Sequence, residues 1–157
     1  MQAADFYERV TGTVCQPKYP TNYNHGYPVD SNVGAEAQNL DSSSNAHWIC
    51  PVPDKTDIPI EDITTIKLLV YDGNNDGTTT VYQVWAKACA FTPSGGATCS
   101  SSTSKTMGTG YQPLTLSGTQ LNPLDADKTP YLYVSLPASD SGVNSGIAGL
   151  YFYRPSP

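Results

Sequence analysis

Basic residues are scarce in this sequence, since eight Lys and Arg stand against fourteen Asp and Glu. The formal net charge is −6 at pH 7, and the basic residues form no cluster along the chain. A chain of this charge repels phosphate backbones and anionic lipid surfaces. The composition therefore argues against nucleic acid as a partner.

Long apolar runs are lacking as well. No stretch approaches the ~20 apolar residues that cross a bilayer, so we expect no membrane insertion. The start of the chain, MQAADFYERV, has neither the basic region nor the apolar stretch of a signal peptide. We interpret Met1 as an initiator placed before a mature end such as QAAD. This implies a removed signal peptide and a secreted, extracellular or cell-surface protein.

The 3.6-residue apolar repeat of a helix is also missing, and only PIEDI, residues 59–63, could form one helical turn. Short segments rich in β-branched and aromatic residues alternate with turns that use 13 Gly and 13 Pro. The clearest segments are FYERVTGTVC, AHWIC, ITTIKLLVY, TTVYQVWAKACAF, YQPLTL, PYLYVSL and GIAGLYFYR, with SNVGAEAQNL as a weaker one. This pattern predicts an all-β fold, an antiparallel two-sheet β-sandwich of jelly-roll type with seven to eight strands. We expect one domain over residues 1–157.

The cysteines are few but even in number: Cys15, Cys50, Cys89 and Cys99. They include no C-x-x-C pair, and His25 and His47 have no spacing relation to them, so a structural zinc site is not expected. Two disulfides fit an extracellular chain better. Of the three possible connectivities we favour Cys15 with Cys50 and Cys89 with Cys99, because the second pair closes the short excursion AFTPSGGAT.

A wider pattern consists of VCQPKY, a Tyr- and Asn-rich span, WICPVP, LLVYDGNNDG and a terminal YLYVSLP…GLYFYR. It resembles a group of small secreted two-disulfide β-sandwich proteins of unknown function from environmental, myxobacteria-like bacteria. The resemblance covers nearly the whole chain. Its most specific element is C-x-P followed by C-P-V, here Cys15, Pro17, Cys50, Pro51 and Val52, and it implies that these two cysteines pair. The group has no assigned activity, so the resemblance implies fold and compartment only.

The heptapeptide YDGNNDG, residues 71–77, lies between two predicted strands. Asp72, Asn74 and Asp76 alternate as in a calcium loop, but Gln83 stands where a closing bidentate Glu is needed. The Asn-Gly and Asp-Gly steps also suit the turn of a β-hairpin. We therefore expect the flanking strands to form a hairpin and calcium to bind weakly or not at all. No other cofactor is expected.

Catalytic patterns are weak in this chain. A loop carries the carboxylates Asp54, Asp57, Glu61 and Asp62, but glycoside hydrolysis requires one acid in an apolar pocket at a defined distance from the second. No G-x-S-x-G elbow accompanies the Ser, His and Asp residues. We interpret His47 as a packed or surface side chain and expect a protein without enzymatic activity.

The aromatic residues offer more information, because side chains alternate between the two faces of a strand. With Leu132 and Val134 inside, their tyrosine neighbours point outward, and the same holds around Leu150 and Phe152. The predicted ligand-binding residues are Gln83, Trp85, Lys87, Tyr131, Tyr133, Tyr151 and Tyr153. Flat rings beside amide and ammonium groups suit stacking on sugar rings.

These observations predict a secreted or surface-attached, non-catalytic β-sandwich module that binds carbohydrate through an aromatic sheet face. Two alternatives stay open. Outward Tyr and Trp are also common at protein interfaces, which would suit a self-associating coat or matrix subunit. A hydrolase that uses the loop carboxylates comes third.

Overall fold

The computed structural model of the 157-residue chain describes residues 6–19, 25–26, 37–55, 58–73, 83–104, 110–139 and 143–155. Short 3-10 helices cover Gly12–Val14, Ile60–Asp62 and Gly118–Leu121. The second of these lies within PIEDI, where the sequence allows one helical turn. Within these ranges, no helix is long and apolar enough to span a membrane. The strands are β1 Phe6–Thr11, β2 Gln16–Pro17, β3 His25–Gly26, β4 Ala37–Asn39, β5 Ala46–Pro51, β6 Thr65–Asp72, β7 Trp85–Phe91, β8 Ala97–Cys99, β9 Thr103–Ser104, β10 Gly110–Ser117, β11 Thr129–Leu136 and β12 Ser145–Arg154.

The strands form two antiparallel sheets, which confirms the predicted all-β sandwich. The back sheet has the order β10-β6-β12-β4-β3, with β1 also paired to β12. The front sheet has the order β2-β5-β11-β7-β8, with β9 also paired to β7. Of the twelve described strands, seven are six residues or longer. This agrees with the lower end of the predicted seven to eight strands. The other five contain only two or three residues each, too few to show a period-two pattern.

The core lies between the sheets and follows from the alternation along the long strands. Ile66, Leu68 and Val70 of β6 are buried, while the residues between them are partly exposed. From the front sheet, the β11 leucines and valine predicted to point inward are fully buried as well. Trp48 of β5 is the largest fully buried side chain. Each such side chain contributes roughly 1.5–3 kcal/mol through burial.

The prediction that the two strands flanking YDGNNDG pair as a hairpin is wrong. β6 lies in the back sheet between β10 and β12, whereas β7 lies in the front sheet beside β11. The residues that connect them, 74–82, lie outside the described residues. Alternation specifies which side chains of a strand face the core. It is the same whichever of the two sheets the strand belongs to, because the inner face of each sheet packs against the other. The pattern therefore could not identify the neighbouring strand.

Both predicted disulfides are confirmed, and none of the four cysteines is free. The Cys15–Cys50 bridge stands where the chain passes from β1 in the back sheet to β2 in the front sheet, and both cysteines are fully buried. The Cys89–Cys99 bridge joins directly opposed residues of β7 and β8. Two structural disulfides are consistent with an oxidising, extracellular compartment.

Candidate functional site

The outward face of the front sheet gathers rings from three neighbouring strands. His47 of β5, Ser135 of β11 and Trp85 of β7 form one cross-strand row, and Tyr133 lies opposite Lys87 in the next row. Adjacent rows place side chains on one face of a sheet close enough for aromatic contact. Sequence alternation had predicted the outward positions of Trp85, Lys87 and Tyr133, and the structure confirms them.

The rings of this face contact one another in nearly parallel orientations. The centroid of Tyr133 lies 5.6 Å from that of Trp85 at an interplanar angle of 25°. It lies 5.4 Å from the centroid of His47 at 28°. All three side chains are half-buried, so their orientations are restrained by packing while part of each ring stays open to solvent. The two tryptophans thus differ, because Trp48 is a core residue and Trp85 is not.

Two lysines flank the central tyrosine ring. The Nζ atom of Lys18 lies 4.8 Å from the ring centroid of Tyr133 and 4.9 Å from that of Tyr19. The Nζ atom of Lys87 lies 5.4 Å from the Tyr133 centroid and 5.7 Å from that of Trp85. These distances permit cation–π attraction. Hydrogen bonding to Tyr19 raises the pKa of Lys18, so this ammonium group is charged at neutral pH. We call Lys18, His47, Trp85, Lys87 and Tyr133 the aromatic face.

His47 is neutral at pH 7 in this setting. Burial lowers the pKa of its imidazole, and the nearby charge of Lys18 lowers it further. Its Nδ1 atom is buried and has no hydrogen-bond partner in the described residues. The interpretation of His47 as a packed histidine fits this environment. The sequence did not place it in a ring cluster, because the neighbouring strand could not be identified.

A cleft of about 400 Å³ lies on the front sheet, next to the aromatic face. Phe91 and Tyr131 stack at its wall with centroids 4.9 Å apart and an interplanar angle of 23°. Phe91 is 43% exposed. Tyr131 is only 8% exposed, whereas the sequence predicted an outward, exposed side chain at this position. Burial also raises the pKa of the Tyr131 phenol. Phe91 is not among the predicted ligand-binding residues, although alternation from Trp85 through Lys87 places it on the same face of β7. The cleft is lined by Val14, Gln16, Pro17, Lys18, Ile49, Pro51, Phe91, Thr129, Pro130 and Tyr131.

The remaining predicted ligand-binding residues lie elsewhere. Tyr151 and Tyr153 are on the outward face of the back sheet. The Cζ atom of Arg9 lies 5.5 Å from the ring centroid of Tyr151, and the Nζ atom of Lys67 lies 5.1 Å from that of Tyr153. Gln83 is half-buried and precedes β7. The predicted set is therefore divided between opposite faces of the sandwich, and its role in ligand binding stays a prediction.

The segment YDGNNDG, a weak candidate for calcium binding, is described only at its start. Asp72 is buried, and its Oδ1 accepts a hydrogen bond from Ser145 Oγ at 3.4 Å. Asn74 and Asp76 lie outside the described residues. The described residues contain no group of three or more His, Cys, Asp or Glu positioned to hold a metal ion. Weak or absent calcium binding stays a prediction.

The loop carboxylates are open to solvent rather than enclosed. Asp54, Glu61 and Asp62 are exposed, and Asp57 lies outside the described residues. Asp62 accepts a hydrogen bond from Arg154 at 3.3 Å. An acid held protonated for glycoside hydrolysis requires an apolar pocket, which these three positions do not provide.

Comparison with known proteins finds solved structures that share this fold. No protein-family model and no curated protein matches the sequence. Among solved structures, a low-affinity xylan-binding module, CBM86, from the gut symbiont Roseburia intestinalis superposes with a TM-score of 0.53 and 8% identity over 94% of both chains. The xylan-binding module CBM15 superposes with a TM-score of 0.54 and 10% identity over 96% of this chain and 97% of that one. The chain shares their β-sandwich fold. This agrees with the small disulfide-bonded β-sandwich that the sequence resemblance implied, and the bacterial source stays a prediction.

Proposed function

We propose that this protein is a non-catalytic module that binds polysaccharide through the aromatic face. The observation that supports this most directly is the contact of Trp85, Tyr133 and His47 in nearly aligned rings on one sheet face. Sugar rings present apolar C–H surfaces to such rings, while their hydroxyl groups require polar partners at the edge. Lys18 and Lys87, whose ammonium groups lie over the Tyr133 ring, supply donors for such hydroxyl groups.

Partial burial makes the rings suitable for binding. A side chain that is already packed against its neighbours loses little conformational freedom when a ligand docks. The adjoining cleft extends the surface along the sheet, which suits a chain of linked sugars better than a single sugar. Two xylan-binding modules share the fold, so xylan is the first ligand to test. The two disulfides support an extracellular location for the proposed module.

Truncating the central rings tests the proposal. We expect Trp85→Ala and Tyr133→Ala each to remove about 1 to 3 kcal/mol of binding, a loss of roughly 5- to 150-fold in affinity. Affinity electrophoresis through gels that contain soluble xylan measures this loss. Tyr111→Ala is the matched control, because this tyrosine is 49% exposed on the opposite sheet. If Tyr111→Ala weakens binding and Trp85→Ala leaves it unchanged, the polysaccharide does not bind at the aromatic face and the proposal is wrong.

Thermal unfolding shows whether any loss of binding comes from loss of fold. Trp48→Ala removes a fully buried ring, so we expect it to destabilise the protein by about 3 to 5 kcal/mol. Trp85→Ala should melt close to the parent protein because its ring is half-buried on an outward face. If Trp85→Ala melts as far below the parent as Trp48→Ala, Trp85 supports the fold and the binding role fails.

A further inference from the structure

Acidic residues are distributed unevenly between the two sheets. The chain carries fourteen Asp and Glu, yet none of the six described strands of the front sheet contains one. In the back sheet, β1 contains Glu8 and β6 contains Asp72. The described strands of the front sheet therefore present no carboxylate that would repel an approaching anion.

The basic residues divide in a related way. Several described cations lie in salt bridges, among them Lys55 with Glu8, Lys128 with Asp125 and Arg154 with Asp62. By contrast, Lys18 and Lys87 form no salt bridge within the described ranges. Their ammonium groups lie against the rings of the aromatic face instead. On the back sheet, Arg9 and Lys67 each lie against a different tyrosine ring, so the sharing of one ring by two cations is the feature of the front sheet.

The two ammonium groups share one ring. Lys18 and Lys87 lie 4.8 and 5.4 Å from the centroid of Tyr133, so two positive charges surround the centre of the aromatic face. The charge of Lys18 also acts on His47, where it adds to burial in lowering the pKa of the imidazole. An anionic group bound at Tyr133 would be attracted by both positive charges and would accept hydrogen bonds from both lysines.

From this arrangement we infer that the polysaccharide bound by the aromatic face carries uronic acid carboxylates. The inference rests on the proposed function. The rings select a sugar with an apolar face, and Lys18 and Lys87 bind a carboxylate attached to it. A neutral sugar chain would use the rings but offer no carboxylate to the two ammonium groups, which form no salt bridge among the described residues.

One polymer in two chemical forms tests the inference. Glucuronoxylan is compared with the same glucuronoxylan after its carboxyl groups have been reduced to alcohols. We expect the native polymer to bind roughly tenfold more tightly than the reduced polymer, because hydrogen bonds to charged groups are the stronger ones. Raising the salt concentration should weaken binding of the native polymer and leave that of the reduced polymer nearly unchanged.

Charge-removing variants assign the effect to the two lysines. The double variant Lys18→Gln/Lys87→Gln should bind the native polymer as weakly as the parent protein binds the reduced one. It should lose more affinity for the native polymer than for the reduced one, because the reduced polymer offers the two lysines hydroxyl groups but no carboxylate. Lys67→Gln is the matched control, since Lys67 lies 5.1 Å from the Tyr153 ring centroid on the back sheet. It should bind both polymers as the parent does.

The outcomes separate this inference from the proposed function. Equal binding of native and reduced polymer, with both lost in Trp85→Ala, would overturn the uronic acid inference and leave carbohydrate binding intact. Failure of the parent protein to bind either polymer, or any neutral polysaccharide, would overturn both. Poly-L-glutamate carries carboxylates without sugar rings. If it binds as tightly as native glucuronoxylan, the site recognises polyanions in general and the inference is wrong.

Discussion

At the scale of single residues, His47 is the ring of the aromatic face that can gain a charge near neutral pH. Tyr133 and Trp85 contact it on the outward surface, and Lys18 adds a positive charge nearby. Lys87 lies against the same two aromatic rings. A protonated His47 would be a third cation in this group, with no carboxylate among the front-sheet strands to balance it.

We therefore expect His47 to make the folded state less stable in mild acid. Its pKa in the folded protein is lowered, so the unfolded chain takes up the proton first as pH falls below about 6.5. The free energy of unfolding should decrease from that pH until the folded-state pKa is passed, and this contribution should then stay constant. Denaturant titrations between pH 7 and pH 4 measure the decrease.

The control is His47→Phe, which keeps a ring against Tyr133 and removes the proton site. Subtracting its pH profile from that of the parent protein cancels the titration of His25 and of the carboxylates. A difference that stays constant across the whole pH range would show that the environment of His47 does not resist protonation.

The sequence predicted part of this site at the residue scale. Period-two alternation was sufficient to place Trp85, Lys87 and Tyr133 on outward surfaces, because each adjoining residue is apolar and buried. It could not show that His47 and Lys18 complete the same cluster. These residues are distant in the chain and meet only through the pairing of β5 with β11 and β2.

At the scale of elements, strand positions were more predictable than strand partners. The segments that contain β6 and β7 were both recognised, but their pairing was not, because their joining loop has the composition of a hairpin turn. The structure gives Gly73 of that loop a different role. The described glycines with positive φ are Gly95, Gly110 and Gly118, so Gly73 is not required for a left-handed conformation. Instead, the backbone before β12 approaches it closely.

Substitution of Gly73 tests this packing role. A Cβ atom on residue 73 would lie 2.5 Å from the carbonyl oxygen of Val143 and 2.8 Å from the carbonyl carbon of Asn144. We expect Gly73→Ala to destabilise the protein by about 1 to 3 kcal/mol, as overpacking of a filled interior does. Chemical denaturation measures the change. Gly96→Ala is the control, because its nearest neighbour would be the Thr92 hydroxyl at 3.5 Å. Equal stability of both variants would contradict a close approach at Gly73.

At the scale of the whole molecule, the sheets are joined by their common core and by specific links between elements. Asn39 of the back sheet is fully buried, and its Nδ2 donates hydrogen bonds to the carbonyl oxygens of Leu136 and Pro137 at the end of β11, at 3.2 and 2.9 Å. The Cys15–Cys50 bridge fixes the passage of the chain from one sheet to the other. The Cys89–Cys99 bridge acts within the front sheet only, between neighbouring strands.

This difference predicts unequal contributions of the two disulfides to stability. The bridges span sequence separations of 35 and 10 residues, for which loop-closure entropy gives about 4 and about 3 kcal/mol respectively. Cys15 and Cys50 are also fully buried, so their replacement by alanine adds the loss of core packing, whereas Cys99 is exposed. We expect Cys15→Ala/Cys50→Ala to lower the melting temperature further than Cys89→Ala/Cys99→Ala, and the second variant to retain the fold. Circular dichroism and thermal unfolding of the two variants measure both effects. The reverse order of melting temperatures would show that the front sheet depends more on its own bridge than on the link to the back sheet.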